Sequence, residues 1–116
     1  MKLTITERFI LADTVQDVIR DSQKSGVNRP ELAEILTKIS PPILFTVWTT
    51  ECDRLDRNYL VCAEDKIDAL RIIQREGEGK IQTASLVDAE FMVDFDFNEK
   101  DIPTEAGSWY MYDEGT

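Results

Sequence analysis

Ile43-Leu44-Phe45-Thr46-Val47-Trp48-Thr49-Thr50 is the point at which the chain turns from helix to sheet. β-Branched and aromatic residues crowd this run, which suits a pleated, half-buried backbone. Pro41-Pro42 stands directly before it and stops any helix from continuing into it. Beyond it, Asp53-Arg54-Leu55-Asp56-Arg57 reads as a polar loop and Asn58–Ala63 as a returning strand. The pair predicts a β-hairpin turning near Leu55.

Toward the C-terminus, Glu64 or Asp65 caps a helix bearing Ile67, Leu70 and Ile73, flanked by Ala69 and Ile72. Its acids lie at the start and Arg71 and Arg75 near the end, as the helix dipole favours. Gly77 and Gly79 bracket its exit, and Lys80–Val87 reads as a third strand. Ala89–Phe97 reads as a fourth. There Phe91, Val93, Phe95 and Phe97 alternate with Glu90, Met92, Asp94 and Asp96. A period of two sends the first set to the core and the second to solvent. The remainder, Asn98–Thr116, is polar except for Ile102 and Trp109-Tyr110-Met111-Tyr112. That aromatic cluster reads as a clasp over the core or as a last strand, and it is dense in residue types that anchor interfaces.

Toward the N-terminus, Thr4-Ile5-Thr6-Glu7 fits a capping box that opens a helix from Ile5 to Lys24, ended by Gly26. Leu11, Val15, Val18 and Ser22 form its stripe, with Phe9, Ile10 and Ile19 beside it. A short strand over Lys2–Thr6 before a shorter helix is the alternative. Asn28 is the expected cap of a second helix, with Pro30 in its first turn and Leu32, Ile35, Leu36 and Ile39 on its apolar side. The expected fold is therefore α+β: an N-terminal helical pair packed with a small, mostly antiparallel sheet of ββαββ order. Residues 1–116 are expected to be one domain, divided into the helical pair (1–40), the ββαββ unit (43–97) and the tail with its clasp (98–116).

Chemistry is bounded mainly by what is missing. The sequence has no histidine, which removes Ser-His-Asp and Cys-His pairs and the usual proton shuttle at neutral pH. Its cysteines are Cys52 and Cys62. A hairpin partner for Cys62 is expected near Trp48 or Thr49, leaving Cys52 about 13 Å away, too far for a disulfide. Both are read as reduced thiols. No apolar run approaches a membrane span and no signal peptide is apparent, so the cytoplasm is the expected location. No enzymatic activity and no cofactor are expected.

Of the net charge of -10, most sits late in the chain: residues 81–116 carry Lys100 alone against nine acids, giving -8. Such a field repels nucleic acid and anionic membrane and attracts basic protein surfaces.

Residues 45–97 resemble the DpnD/PcfM-like family of small proteins encoded on mobile elements. The match runs through Phe45-x-Val47, Thr50-Glu51, Val61-Cys62-Ala63, Asp65 with Ala69-Leu70, Gly79-Lys80-Ile81 and Phe91-x-Val93-x-Phe95. The helical extension, extra residues at Thr83–Asp88 and the tail depart from that pattern. The resemblance implies a plasmid, phage or defence-island setting, with no particular chemistry. Ser25–Leu36 look like the first turn and second helix of phage-repressor helix-turn-helix domains, but the segment that should be a recognition helix reads as a strand.

On a strand, Glu90, Asp94 and Asp96 stand about 6.5–7 Å from their neighbours two residues along. That is close to the phosphate spacing of a nucleic-acid strand. With Asp88, Glu99 and Asp101 nearby, the edge is a candidate polyanion mimic, joined by Trp109 and Tyr110 as interface anchors. The plainer reading is a solvated face that keeps the protein soluble. Asp94-Phe95-Asp96 offers two oxygen ligands for Mg²⁺ or Ca²⁺ without a third. The expected function is a small acidic inhibitor or adaptor from a phage or plasmid. It would occupy a basic nucleic-acid-binding surface of a host complex, most concretely as an anti-CRISPR. The alternatives are a helix-turn-helix-like DNA-binding regulator, a carboxylate metal enzyme, or a conjugation accessory protein.

Overall fold

The computed structural model describes residues 3–26, 29–51 and 55–112. In chain order these form α1 (Ile5–Lys24), α2 (Pro30–Ile39), β1 (Leu44–Glu51), β2 (Leu55–Cys62), α3 (Lys66–Glu76), β3 (Lys80–Leu86), α4 (Ala89–Phe95), a 3-10 turn (Glu99–Asp101) and β4 (Trp109–Tyr112). The class is α+β, with an N-terminal helical pair and one antiparallel sheet. The chain divides into two compact units: Met1–Pro41 with Asp88–Asp96, and Pro42–Val87 with Phe97–Thr116.

In the first unit, α1 begins as its capping box dictates. The Thr4 hydroxyl accepts from the Glu7 N–H at 3.1 Å, and the Glu7 carboxylate accepts from the Thr4 N–H at 2.8 Å. That pair of bonds satisfies two of the helix's orphan donors and lowers the Glu7 pKa. The helix runs to Lys24, and Gly26 follows with a left-handed φ of +77°. Its buried stripe is Ile5, Phe9 and Ala12. The inner face is thus rotated away from the expected Leu11–Val18 line, and both of those residues are exposed. Pro30 opens α2 at its first position, with Arg29 as N-cap and no side-chain cap bond; the expected cap, Asn28, lies outside the described residues. The Arg8 guanidinium donates to the Ser40 carbonyl and ties α1 to the end of α2.

The third helix of this unit overturns an expectation. Ala89–Phe95 is α-helical, and Ala89–Phe97 supplies no strand. Asp88 caps the helix, its carboxylate accepting from the Phe91 N–H at 2.9 Å. Met92, expected to face solvent, is fully buried, whereas Val93, expected in the core, is 51% exposed. Phe91 and Phe95 stack one turn apart with ring centroids 4.5 Å apart. The same seven residues satisfy a 3.6-residue period once Phe91, Met92 and Phe95 are taken as the inner face.

The second unit holds the sheet, ordered β3-β1-β2-β4 and antiparallel throughout. The hairpin is tighter than expected. β2 starts at Leu55, so Asp56 and Arg57 pair with Thr50 and Thr49 rather than forming loop. Cys62 lies opposite Leu44, not near Trp48 or Thr49; Cys52 lies outside the described residues. One sheet face supplies Phe45, Val47, Tyr59, Val61 and Ala84 to a core completed by Ala69, Ile72 and Ile73 of α3. Asp65 is the cap of α3, accepting from the Asp68 N–H at 2.8 Å. The buried face of α3 is offset from the expected stripe, leaving Ile67 66% exposed.

The α3–β3 connection is clamped at Glu78. Its N–H donates to the Tyr59 hydroxyl (3.0 Å), its carbonyl accepts from the Thr49 hydroxyl (2.8 Å) and its carboxylate meets Arg57 (2.7 Å). Next to it, Gly79 has φ +90°, and a Cβ there would come within 2.9 Å of the Thr50 carbonyl oxygen, so only glycine fits the turn. The fourth strand is Trp109–Tyr112, which pairs with β2. The aromatic cluster is therefore a strand rather than a clasp. Its Tyr112 hydroxyl bonds Thr46 at 2.5 Å.

Candidate functional site

Helix α4 gathers only part of the expected acidic site. Glu90 and Asp94 are four residues apart, hence neighbours on one helix face, and both are exposed with Val93 beside them. Among the described residues no ion pair takes Glu90, Asp94 or Asp96. The pairs formed include Asp17–Arg20, Glu78–Arg57, Asp68–Arg71 and Glu76–Arg75.

The placement is electrostatically costly. Like charges one turn apart repel, and carboxylates near a helix C-terminus oppose the macrodipole, each on the order of half a kcal/mol. No basic residue stands in the last turn of α4 to offset this. Asp96 is the C-cap in a left-handed conformation (φ 47°, ψ 53°), where glycine or asparagine is the usual occupant. Stability alone would not place Asp94 and Asp96 there.

The other expected residues belong to other elements or are committed to a cap. The Asp88 carboxylate is committed to capping α4. Glu99 and Asp101 lie in the 3-10 turn of the second unit, with Asp101 half-buried. Trp109 and Tyr110 lie on β4. The Trp109 ring meets Tyr59 edge-on at 5.3 Å, and Phe97 meets Tyr110 edge-on at 6.4 Å. The Glu76 carboxyl is held below its ordinary range by the Arg75 guanidinium, with a smaller contribution from Trp109. Trp109 is therefore engaged inside its own unit. The row of strand-spaced carboxylates does not exist, because the segment is helical. Val93 was missed as a surface residue for the same reason; the four-residue recurrence of Glu90 and Asp94 after the Asp88 cap was the signal for it. No group of three or more His, Cys, Asp or Glu side chains able to hold a metal is present among the described residues. Nor is any helix there long and apolar enough to cross a membrane.

Cys62 is buried, and desolvation pushes its thiol pKa up. The folded state then keeps its proton after the unfolded thiol, near pH 8.5, has begun to lose it. Protons bound in excess by the folded state mean that stability falls as pH rises. In a Cys52→Ser background, the urea midpoint is expected to decline above about pH 8.5 more steeply than in the same chain carrying Cys62→Ala. Thiol labelling at pH 8 should be slow until urea is added.

These features define an α+β protein whose antiparallel sheet carries one helical crossover between β2 and β3 and a second helix between β3 and β4. No family model, curated protein or solved structure matches the chain.

Proposed function

We propose that the protein is a small acidic binding protein, an inhibitor or adaptor that occupies a basic nucleic-acid-binding surface of a host complex in the cytoplasm. The observation that carries this reading is the uncompensated charge of α4. Glu90 and Asp94 share an exposed face, and Asp94 and Asp96 stand at the helix end where acids cost stability. Retaining groups that oppose folding is what a binding site does when stability is exchanged for function. The charge of -8 over residues 81–116 supplies a long-range field of the same sign. The contact surface is a two-turn helix face with Val93 as its apolar centre, in place of a phosphate-spaced strand. The resemblance to mobile-element proteins points to phage or plasmid counter-defence, with an anti-CRISPR as its most concrete form.

The isosteric pair Glu90→Gln and Asp94→Asn tests it. Melts of the double variant should show stability equal to or slightly above the parent, because repulsion is relieved. Capture of a basic, nucleic-acid-handling complex from a host lysate should be lost, and capture by the parent should weaken with added salt. Unaltered capture by the double variant would mean that the carboxylates only solvate the helix.

A further inference from the structure

The sheet is open along β3. This strand pairs with β1, and no strand pairs with its outer side among the described residues. The Val87 N–H donates to the Leu44 carbonyl at 2.9 Å, and the register sets Leu86 opposite Phe45. Antiparallel alternation then turns the backbone groups of Ser85 and Thr83 toward β1 and those of Ala84 and Leu86 outward. Exposed edges are ordinarily guarded by charge, proline or a covering element. Ile81–Val87 contains no charged residue and no proline.

Two adjoining hollows of about 450 and 390 Å³, which share Leu70 and Ile81, form a groove between this edge and α3. Lys66 and Leu70 of the helix face Ile81 and Ala84 of the strand in the larger hollow, and Leu70 and Gln74 face Lys80 and Ile81 in the smaller. The short turn through Gly77 and Gly79 sends β3 back along α3, so the last residue of β3 lies near the first turn of the helix. Two of the most exposed large apolar side chains of the protein, Ile67 (66%) and Leu86 (65%), stand at that end.

The charge of the groove is opposite to that of the chain. Its only charged lining residues are Lys66 and Lys80, in a protein of net charge -10. The acids of α3, its cap and the turn after it are committed elsewhere: Asp65 caps α3, Asp68 pairs with Arg71, Glu76 with Arg75 and Glu78 with Arg57.

We infer that this groove takes an extended segment of a partner protein that carries apolar and acidic side chains and adds to β3 as a fifth strand. Main-chain bonds to Ala84 and Leu86 hold the segment, apolar side chains enter between Leu70 and Ile81, and carboxylates meet Lys66 and Lys80. A second copy is the weaker occupant, because it brings a like net charge to the same edge.

The full chain is panned against a displayed library of random octapeptides, and the enriched peptide is synthesised for anisotropy and amide-exchange measurements. Enriched sequences should combine apolar residues with Asp or Glu, and the bound peptide should slow exchange at the Ala84 and Leu86 amides. Lys66→Glu with Lys80→Glu should weaken binding about ten-fold or more, since both charge contacts reverse sign. Leu86→Pro removes one outward N–H without touching the β1 ladder and should abolish binding. If that variant unfolds, the exposed lysine pair decides the matter alone. Failure of any sequence to enrich, protection at another element, or binding indifferent to the lysine reversal would overturn the inference. So would a concentration-dependent dimer in which Ala84 and Leu86 are protected without peptide, since the edge would then belong to a second copy.

Discussion

Met92→Asp is expected to cost about 4 kcal/mol or more, enough to unfold a small unit, while Val93→Asp should stay within about 0.5 kcal/mol of the parent. Met92 is fully buried on the inner face of α4, beside Phe91 and Phe95 in the same helix. An aspartate there loses the packing of a long apolar side chain and brings a charge into an environment without water. It would have to take up a proton or drag the helix out of place. Val93 lies 51% exposed on the opposite side with Glu90 and Asp94, where one more carboxylate adds only mild repulsion. Urea melts followed by far-ultraviolet circular dichroism separate the two variants. The strand reading of Ala89–Phe97 predicts the reverse order of damage, so the same pair of measurements decides which period the segment obeys. A tolerated Met92→Asp with a crippling Val93→Asp would reject the helix.

Replacing Tyr59 should produce the second large effect, in the sheet. Tyr59 is 1% exposed, is part of the core between sheet and α3, and meets Trp109 edge-on. Its hydroxyl accepts the Glu78 N–H in the clamped α3–β3 turn. Tyr59→Ala removes the ring and opens a cavity, at an expected cost of about 4 kcal/mol. Tyr59→Phe keeps the ring and loses only the acceptor for the Glu78 N–H, an expected cost of about 1 kcal/mol. The gap between the variants measures packing against hydrogen bonding. In a Trp48→Phe background, Trp109 fluorescence should shift in Tyr59→Ala and hardly move in Tyr59→Phe. Equal losses in the two variants would mean that the hydroxyl, rather than the ring, carries the site.

Much of the fold was legible because its signals are local. The Thr4–Glu7 box, the Ile5–Lys24 helix, the Pro41-Pro42 stop, the β1 run and the Asp65 cap each depend on residues within a turn or two of one another. Faces were less legible than elements. On α1 and α3 the apolar residues extend beyond one stripe, and contacts distant in sequence chose which of them to bury.

The acidic site was only partly legible. Its residue types and exposure could be read from Glu90, Asp94 and Asp96; its geometry could not. In Ala89–Phe97, phenylalanines and acids recur at both two and four residues, so the run meets the requirements of a strand and of a helix alike. A strand also needs a neighbour to satisfy its backbone. The place beside β2 goes to Trp109–Tyr112, whose Tyr112 is buried and bonded to Thr46. The charge, the absence of histidine and every element whose start or stop is written in adjacent side chains follow from the order of residues alone. Which aromatic segment joins the sheet was settled by long-range contacts, because backbone hydrogen bonds between strands are made with residues far away along the chain.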